Sequence, residues 1–137
     1  MIDSMSFHHL GIACENIPIT ASHYERAGYA WDGKEVIDPL QNIRIAFLTH
    51  PAMPMIELLA PVDDNSPIID ILHKNGTTPY HICYFVPDVK YAIKELRAQK
   101  YVLISKPQKA SAIEGHCVAF LYHKDVGLIE LVGMSIN

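Results

Sequence analysis

Residues 7–14 read FHHLGIAC, a short apolar strand that begins with two adjacent histidines. Side chains alternate along a strand, so His8 and His9 point to opposite faces. With Leu10, Ile12 and Cys14 turned toward a core, His9 shares the other face with Gly11 and Ala13. Those small residues leave room beside the imidazole. His8 falls on the core-facing side. One histidine so placed is most often a half-exposed residue of an edge strand. The rest of the chain gives it company.

A related strand, PYHICYFV at 79–86, sets Tyr80, Ile82, Tyr84 and Val86 on one face and His81 and Cys83 on the other. The likeness continues. His9 is followed by a helical stretch, Tyr29, AFL at 46–48 and IEL at 56–58. His81 is followed by a helical stretch, Tyr101, AFL at 119–121 and IEL at 129–131. The spacings match apart from one inserted residue, so the chain repeats itself. Each copy reads as strand, helix, then three strands. Asp88 is placed to cap the helix VKYAIKELRAQ, whose Val89, Ile93 and Leu96 recur at helical spacing. IPITASHYERAGY fills the same slot in copy one and ends at Gly28. RIAFLTH and MIELLAP are the last strands of copy one, and HCVAFLYH and LIELVG those of copy two. Between the copies, Ser66 and Pro67 open a short helix that runs through Lys74 and closes at Asn75-Gly76.

This pattern predicts one α+β domain over residues 1–137, built of two βαβββ modules. Module one covers 6–60, a linker with a short helix covers 61–78, and module two covers 79–134. Half of the 137 residues are hydrophobic and 19% are charged, an ordinary balance for a globular chain. A net charge of −4 with no basic block gives no electrostatic reason to expect nucleic acid. No apolar run reaches the roughly 20 residues of a membrane span, and MIDSMSF lacks the marks of a secretory signal. Cys14, Cys83 and Cys117 read as buried thiols in a reducing compartment, without a disulfide framework. The expected location is the cytoplasm.

The repeat places a histidine on the first strand and a glutamate on the last strand of each copy. Glu57 alternates with Ile56 and Leu58, and Glu130 with Ile129 and Leu131. Both acids therefore face away from the core-like side, as His9 and His81 do. A carboxylate in the middle of an apolar strand is costly unless it is paired or bound to a metal. As edge-strand charges, the two glutamates would instead block aggregation. Two such modules, facing each other in a curved mixed sheet, would bring both histidines and both glutamates to a central metal-binding cleft. Two neutral imidazoles and two carboxylates offset a divalent charge and leave two octahedral positions open. His23, His50, His73, His116 and His123 lack the paired placement, and most of them read as surface or turn residues.

The paired modules, HHLGIA opening one and YHICY opening the other, resemble the vicinal oxygen chelate superfamily of glyoxalases, bleomycin-resistance proteins and dioxygenases. HHLGIACENI, IELLAP followed by DNSPI, PYHICY and VAFLYHKDVGLIELV are most similar to its methylmalonyl-CoA epimerase branch, over about residues 6–134. The resemblance implies His9, Glu57, His81 and Glu130 as ligands of a divalent ion such as cobalt, nickel, zinc or manganese. It implies an isomerase that moves a proton beside a thioester carbonyl, with an acyl-CoA substrate and a homodimeric assembly that covers exposed sheet edges.

One departure from the branch stands out. Its catalytic glutamate lies in a P-E-Q stretch before the AFL strand, whereas this chain reads Pro39-Leu40-Gln41. Leu40 cannot take a proton. Two other carboxylates are candidate bases: Glu114, in the mirrored loop of copy two, and Glu130, acting in the glyoxalase I manner. A glyoxalase I-like lyase for a glutathione adduct shares the metal site and differs in the substrate tail. A non-catalytic binding protein of the resistance type is the other alternative. An iron dioxygenase would use two histidines and one carboxylate, and this set holds a second carboxylate.

Overall fold

The computed structural model describes residues 5–109, 113 and 116–134. Among them are eight strands and three helices in an α+β arrangement. Contacts divide the chain into two compact units, one spanning His9–Tyr80 and one joining the N-terminal residues through His8 to the chain from His81 onward. No helix of the described residues is long and apolar enough to cross a membrane.

The His9–Tyr80 unit holds most of β1 (Ser6–Ala13), then α1 (Ile17–Arg26), β2 (Val36–Asp38), β3 (Ile43–Leu48), β4 (Ile56–Pro61) and α2 (Ile69–Asn75). Its strands lie in the order β2-β3-β4-β1. β1 and β4 run parallel, with Leu10 opposite Ile56 and Gly11 opposite Glu57. A parallel pair needs a long crossover, which α1 and the two intervening strands supply. Asn16 starts α1, its Oδ1 accepting a hydrogen bond from the Ile19 amide at 2.9 Å. The helix buries Ile17 and Ala21 against Ile12, Cys14, Leu48, Ile56 and Leu58. Each fully buried Ile or Leu contributes about 1.5–3 kcal/mol over its exposed state.

Helix α2 begins at Ile69, three residues after Ser66. Ser66 and Pro67 instead form the turn before it, where the Ile69 amide donates to the Ser66 carbonyl at 3.1 Å. Gly76, at φ +70°, ends the helix, its amide donating to the Leu72 carbonyl at 2.8 Å.

The second unit holds most of β5 (Thr78–Val86), then α3 (Val89–Ala98), β6 (Val102–Lys109), β7 (Cys117–His123) and β8 (Gly127–Gly133), with strand order β5-β8-β7-β6. β5 and β8 run parallel, with Ile82 opposite Ile129 and Cys83 opposite Glu130. That is the β1–β4 register again, so the repeat extends to the hydrogen-bond ladder. Asp88 caps α3, its Oδ1 accepting from the Tyr91 amide at 3.1 Å. Val89, Ile93 and Leu96 cover Val86, Ala119, Leu121, Ile129 and Leu131. The edge strand β6 carries Pro107 and two register irregularities, which blunt it against pairing with another chain.

Both long helices end in the same way. The Tyr29 amide donates to the Tyr24 carbonyl, and the Tyr101 amide to the Leu96 carbonyl, each at 3.1 Å. Such a closure needs a left-handed residue just before the tyrosine. Gly28 supplies it at φ +99°, and Lys100 at φ +76°.

Candidate metal centre

In the His9–Tyr80 unit, α1 covers one face of the sheet and His9 and Glu57 lie on the other. The parallel register that sets Gly11 opposite Glu57 puts the His9 side chain beside the carboxylate. Nε2 of His9 lies 3.3 Å from Oε1 of Glu57. His9 is fully buried and Glu57 is 4% exposed. Phe47, paired with Glu57 across β3 and β4, turns its ring to His9 at 5.6 Å between centroids and 71° between planes.

The second unit repeats this arrangement. Nε2 of His81 lies 3.1 Å from Oε1 of Glu130. The two residues are 3% and 5% exposed. Phe120, paired with Glu130 across β7 and β8, meets the His81 ring at 5.4 Å and 90°. Beyond them the same unit carries the apolar group Cys83, Val118 and Val132, with Phe85 against it.

The donor atoms suit a metal ion. Ligand atoms about 2.0–2.2 Å from one ion stand about 2.8–3.1 Å apart at right angles and about 3.3–3.6 Å apart at tetrahedral angles. The Nε2–Oε1 separations of 3.3 and 3.1 Å fall across those ranges. In each pair a carboxylate oxygen and an imidazole nitrogen lie together in the interior, where a bound cation would be held by both.

The sequence-derived candidates are thus placed in two pairs, His9 with Glu57 and His81 with Glu130. Glu114 lies outside the described residues. Leu40 is exposed at the β2–β3 turn, next to the buried Asp38. Asp38 holds that turn: its Oδ1 accepts from the Leu40 and Gln41 amides, and its Oδ2 from the Gln41 side chain at 2.9 Å. Cys14, Cys83 and Cys117 are buried thiols that form no disulfide.

Sequence reasoning passed over two sets of residues. Phe47 and Phe120 were visible as the centres of the two AFL motifs, but alternation alone did not show that they reach the histidines. His50 and His123, expected as surface or turn residues without paired placement, do build turns and are a repeat-equivalent pair. The His50 ring meets Tyr29 at 5.1 Å and the His123 ring meets Tyr101 at 4.8 Å between centroids, both in tilted contact. Nδ1 of His50 accepts from the Ala52 and Met53 amides, and Nδ1 of His123 from the Asp125 amide. They are turn-builders, tied by the backbone after β3 and β7.

The chain belongs to the glyoxalase/bleomycin resistance protein/dioxygenase superfamily, whose family model matches residues 8–120. It is 31% identical over 127 residues to the ethylmalonyl-CoA/methylmalonyl-CoA epimerase of Cereibacter sphaeroides, covering 90% of this chain and 94% of that protein. The crystal structure of methylmalonyl-CoA epimerase from Mycobacterium tuberculosis matches 95% of this chain and 88% of its own, with a TM-score of 0.82 at 29% identity. A variant of the Streptomyces coelicolor methylmalonyl-CoA epimerase in complex with 2-nitronate-propionyl-CoA matches 96% of this chain and 99% of its own, with a TM-score of 0.80 at 27% identity. The expected α+β fold is the fold of these epimerases.

Proposed function

We propose that this chain is a metal-dependent isomerase of the epimerase type, moving a proton on the carbon beside a thioester carbonyl of an acyl-CoA. The observation that carries the reading is the buried His–Glu pair, present twice with nearly the same Nε2–Oε1 separation. His9, Glu57, His81 and Glu130 are the proposed ligands of one divalent ion: cobalt, nickel, zinc or manganese. When bound, such an ion supplies Lewis-acid stabilisation to the negative charge that develops on a carbonyl oxygen. The chain's own part is to bind and orient the thioester, keep water from the buried carboxylates, and accept the proton. Leu40 cannot accept it. The base is therefore a carboxylate oxygen of Glu130 or of Glu114. Similarity to epimerases at about 30% identity supports the reaction class. The proposal includes a homodimer in the cytoplasm.

The test follows the α-proton of methylmalonyl-CoA in deuterated water, with cobalt-loaded protein. Exchange of that proton, slowed at least a hundredfold in Glu130→Gln or Glu114→Gln, is the expected result. Unchanged exchange in both variants contradicts it.

Leu40 also favours a second reading. A lyase acting on a glutathione hemithioacetal uses the same ligand set without a carboxylate at the β2–β3 turn. Turnover of that adduct, with no exchange on the acyl-CoA, would select it. Ligand binding without turnover of either substrate would select a resistance-type binding protein.

A further inference from the structure

We infer that Val102, Tyr122 and Leu128 take the apolar substituent of an acyl-CoA and select a chain of about four to six carbons over a methyl group. The inference rests on the epimerase-type reading above. The three residues form one row across β6, β7 and β8, with Val102 opposite Tyr122 and Tyr122 opposite Leu128. Alternate residues of a strand share a face. Two residues along β7 and β8, on that same face, Phe120 stands opposite Glu130. The row therefore belongs to the face that carries the His81–Glu130 pair, and it lies roughly 6.5–7 Å along the strands from Glu130.

Both ends of the pair are apolar, but they differ in access. At one end Val118 and Val132 are buried. At the other, Tyr122 is 45% and Val102 58% exposed, beside the half-buried Leu128. Apolar side chains that run from a buried polar pair into open space offer a bound ligand a surface to lie on. The repeat is kept at the pair and lost at this row. Copy one has Ala30, Thr49 and Met55 in the equivalent positions, and Ala30 again stands opposite Thr49. The histidine, glutamate and phenylalanine are arranged alike in both units. The pair therefore needs no aromatic ring at position 122, since threonine serves at 49. What Tyr122 and Val102 add is apolar area on one side of the site. A methyl group on the reacting carbon stops well short of the row, whereas about four to six carbons reach it.

The test titrates the full chain, with Co²⁺ present, by calorimetry. Wild type is expected to bind butylmalonyl-CoA about tenfold more tightly than methylmalonyl-CoA, from partial burial of the added methylenes. Tyr122→Thr and Val102→Ala, which install the copy-one residues, are expected to bring the two affinities within about twofold of each other. Tyr122→Phe, which keeps the ring, is expected to retain the wild-type ratio. Equal affinities in wild type, or a ratio untouched by Tyr122→Thr and Val102→Ala, would overturn the inference. So would a change of solution mass in Tyr122→Thr, which would make the row a contact between copies of the chain. A Tyr122-dependent preference with no α-proton exchange on either thioester would retain the inference and overturn the epimerase reading instead. Binding of neither thioester would overturn both.

Discussion

His81 and Glu130 place a nitrogen and an oxygen 3.1 Å apart in an interior almost closed to water. The carboxylate has the imidazole as a partner without a cation, and would be a ligand with one. Metal-free, Glu130→Gln is expected to lose about 1–3 kcal/mol, because the contact with the imidazole is weakened in a buried setting. With cobalt at about a hundred times its Kd, wild type gains about 2.7 kcal/mol, and the variant gains little. Thermal melts of both proteins across a cobalt titration check that the gap widens.

Leu40 sits on a turn already organised by Asp38, so the backbone there needs no carboxylate at position 40 to hold its shape. Leu40→Glu should fold normally, since the site is exposed. On the epimerase reading it adds a base, and α-proton exchange on the thioester should rise by about 10²-fold. No rise would place the substrate away from the β2–β3 turn.

Gly28 and Lys100 fill the same left-handed position after α1 and α3. A residue with a Cβ is strained there, so Lys100→Gly should stabilise the fold by about 0.5–1 kcal/mol. Gly28→Ala should cost about 1–3 kcal/mol, because its Cβ would also meet Nε2 of His50 at 2.9 Å. Urea midpoints at constant m-value measure both.

Loss of water around the sulfur pushes the Cys14 and Cys117 thiols above the ordinary range. The native protein should therefore react with an aromatic disulfide reagent at neutral pH only as fast as it opens. All three thiols should react at once in denaturant. Rapid native labelling of Cys14 or Cys117 would contradict the buried setting.

Much of this was legible in the chain itself. The alternation in FHHLGIAC and PYHICYFV, with the matched IEL strands, located both histidines and both glutamates. It did so because strand period and parallel register are set by where apolar residues must go. The start of α2 was misplaced because Ser66-Pro67 resembles a helix opening while the chain uses it for a turn. The roles of Phe47, Phe120, His50 and His123 depend on contacts across strands, which spacing along one strand does not encode. Leu40 was legible as a departure, but its consequence for chemistry was not.

Metal content tests the central claim most directly. Elemental analysis of protein purified without an affinity tag should find about one divalent ion per chain, and none in the His81→Ala, Glu130→Ala double variant. Wild-type protein that holds no ion and takes up neither added cobalt nor added zinc would contradict the account and leave a ligand-binding member of the superfamily.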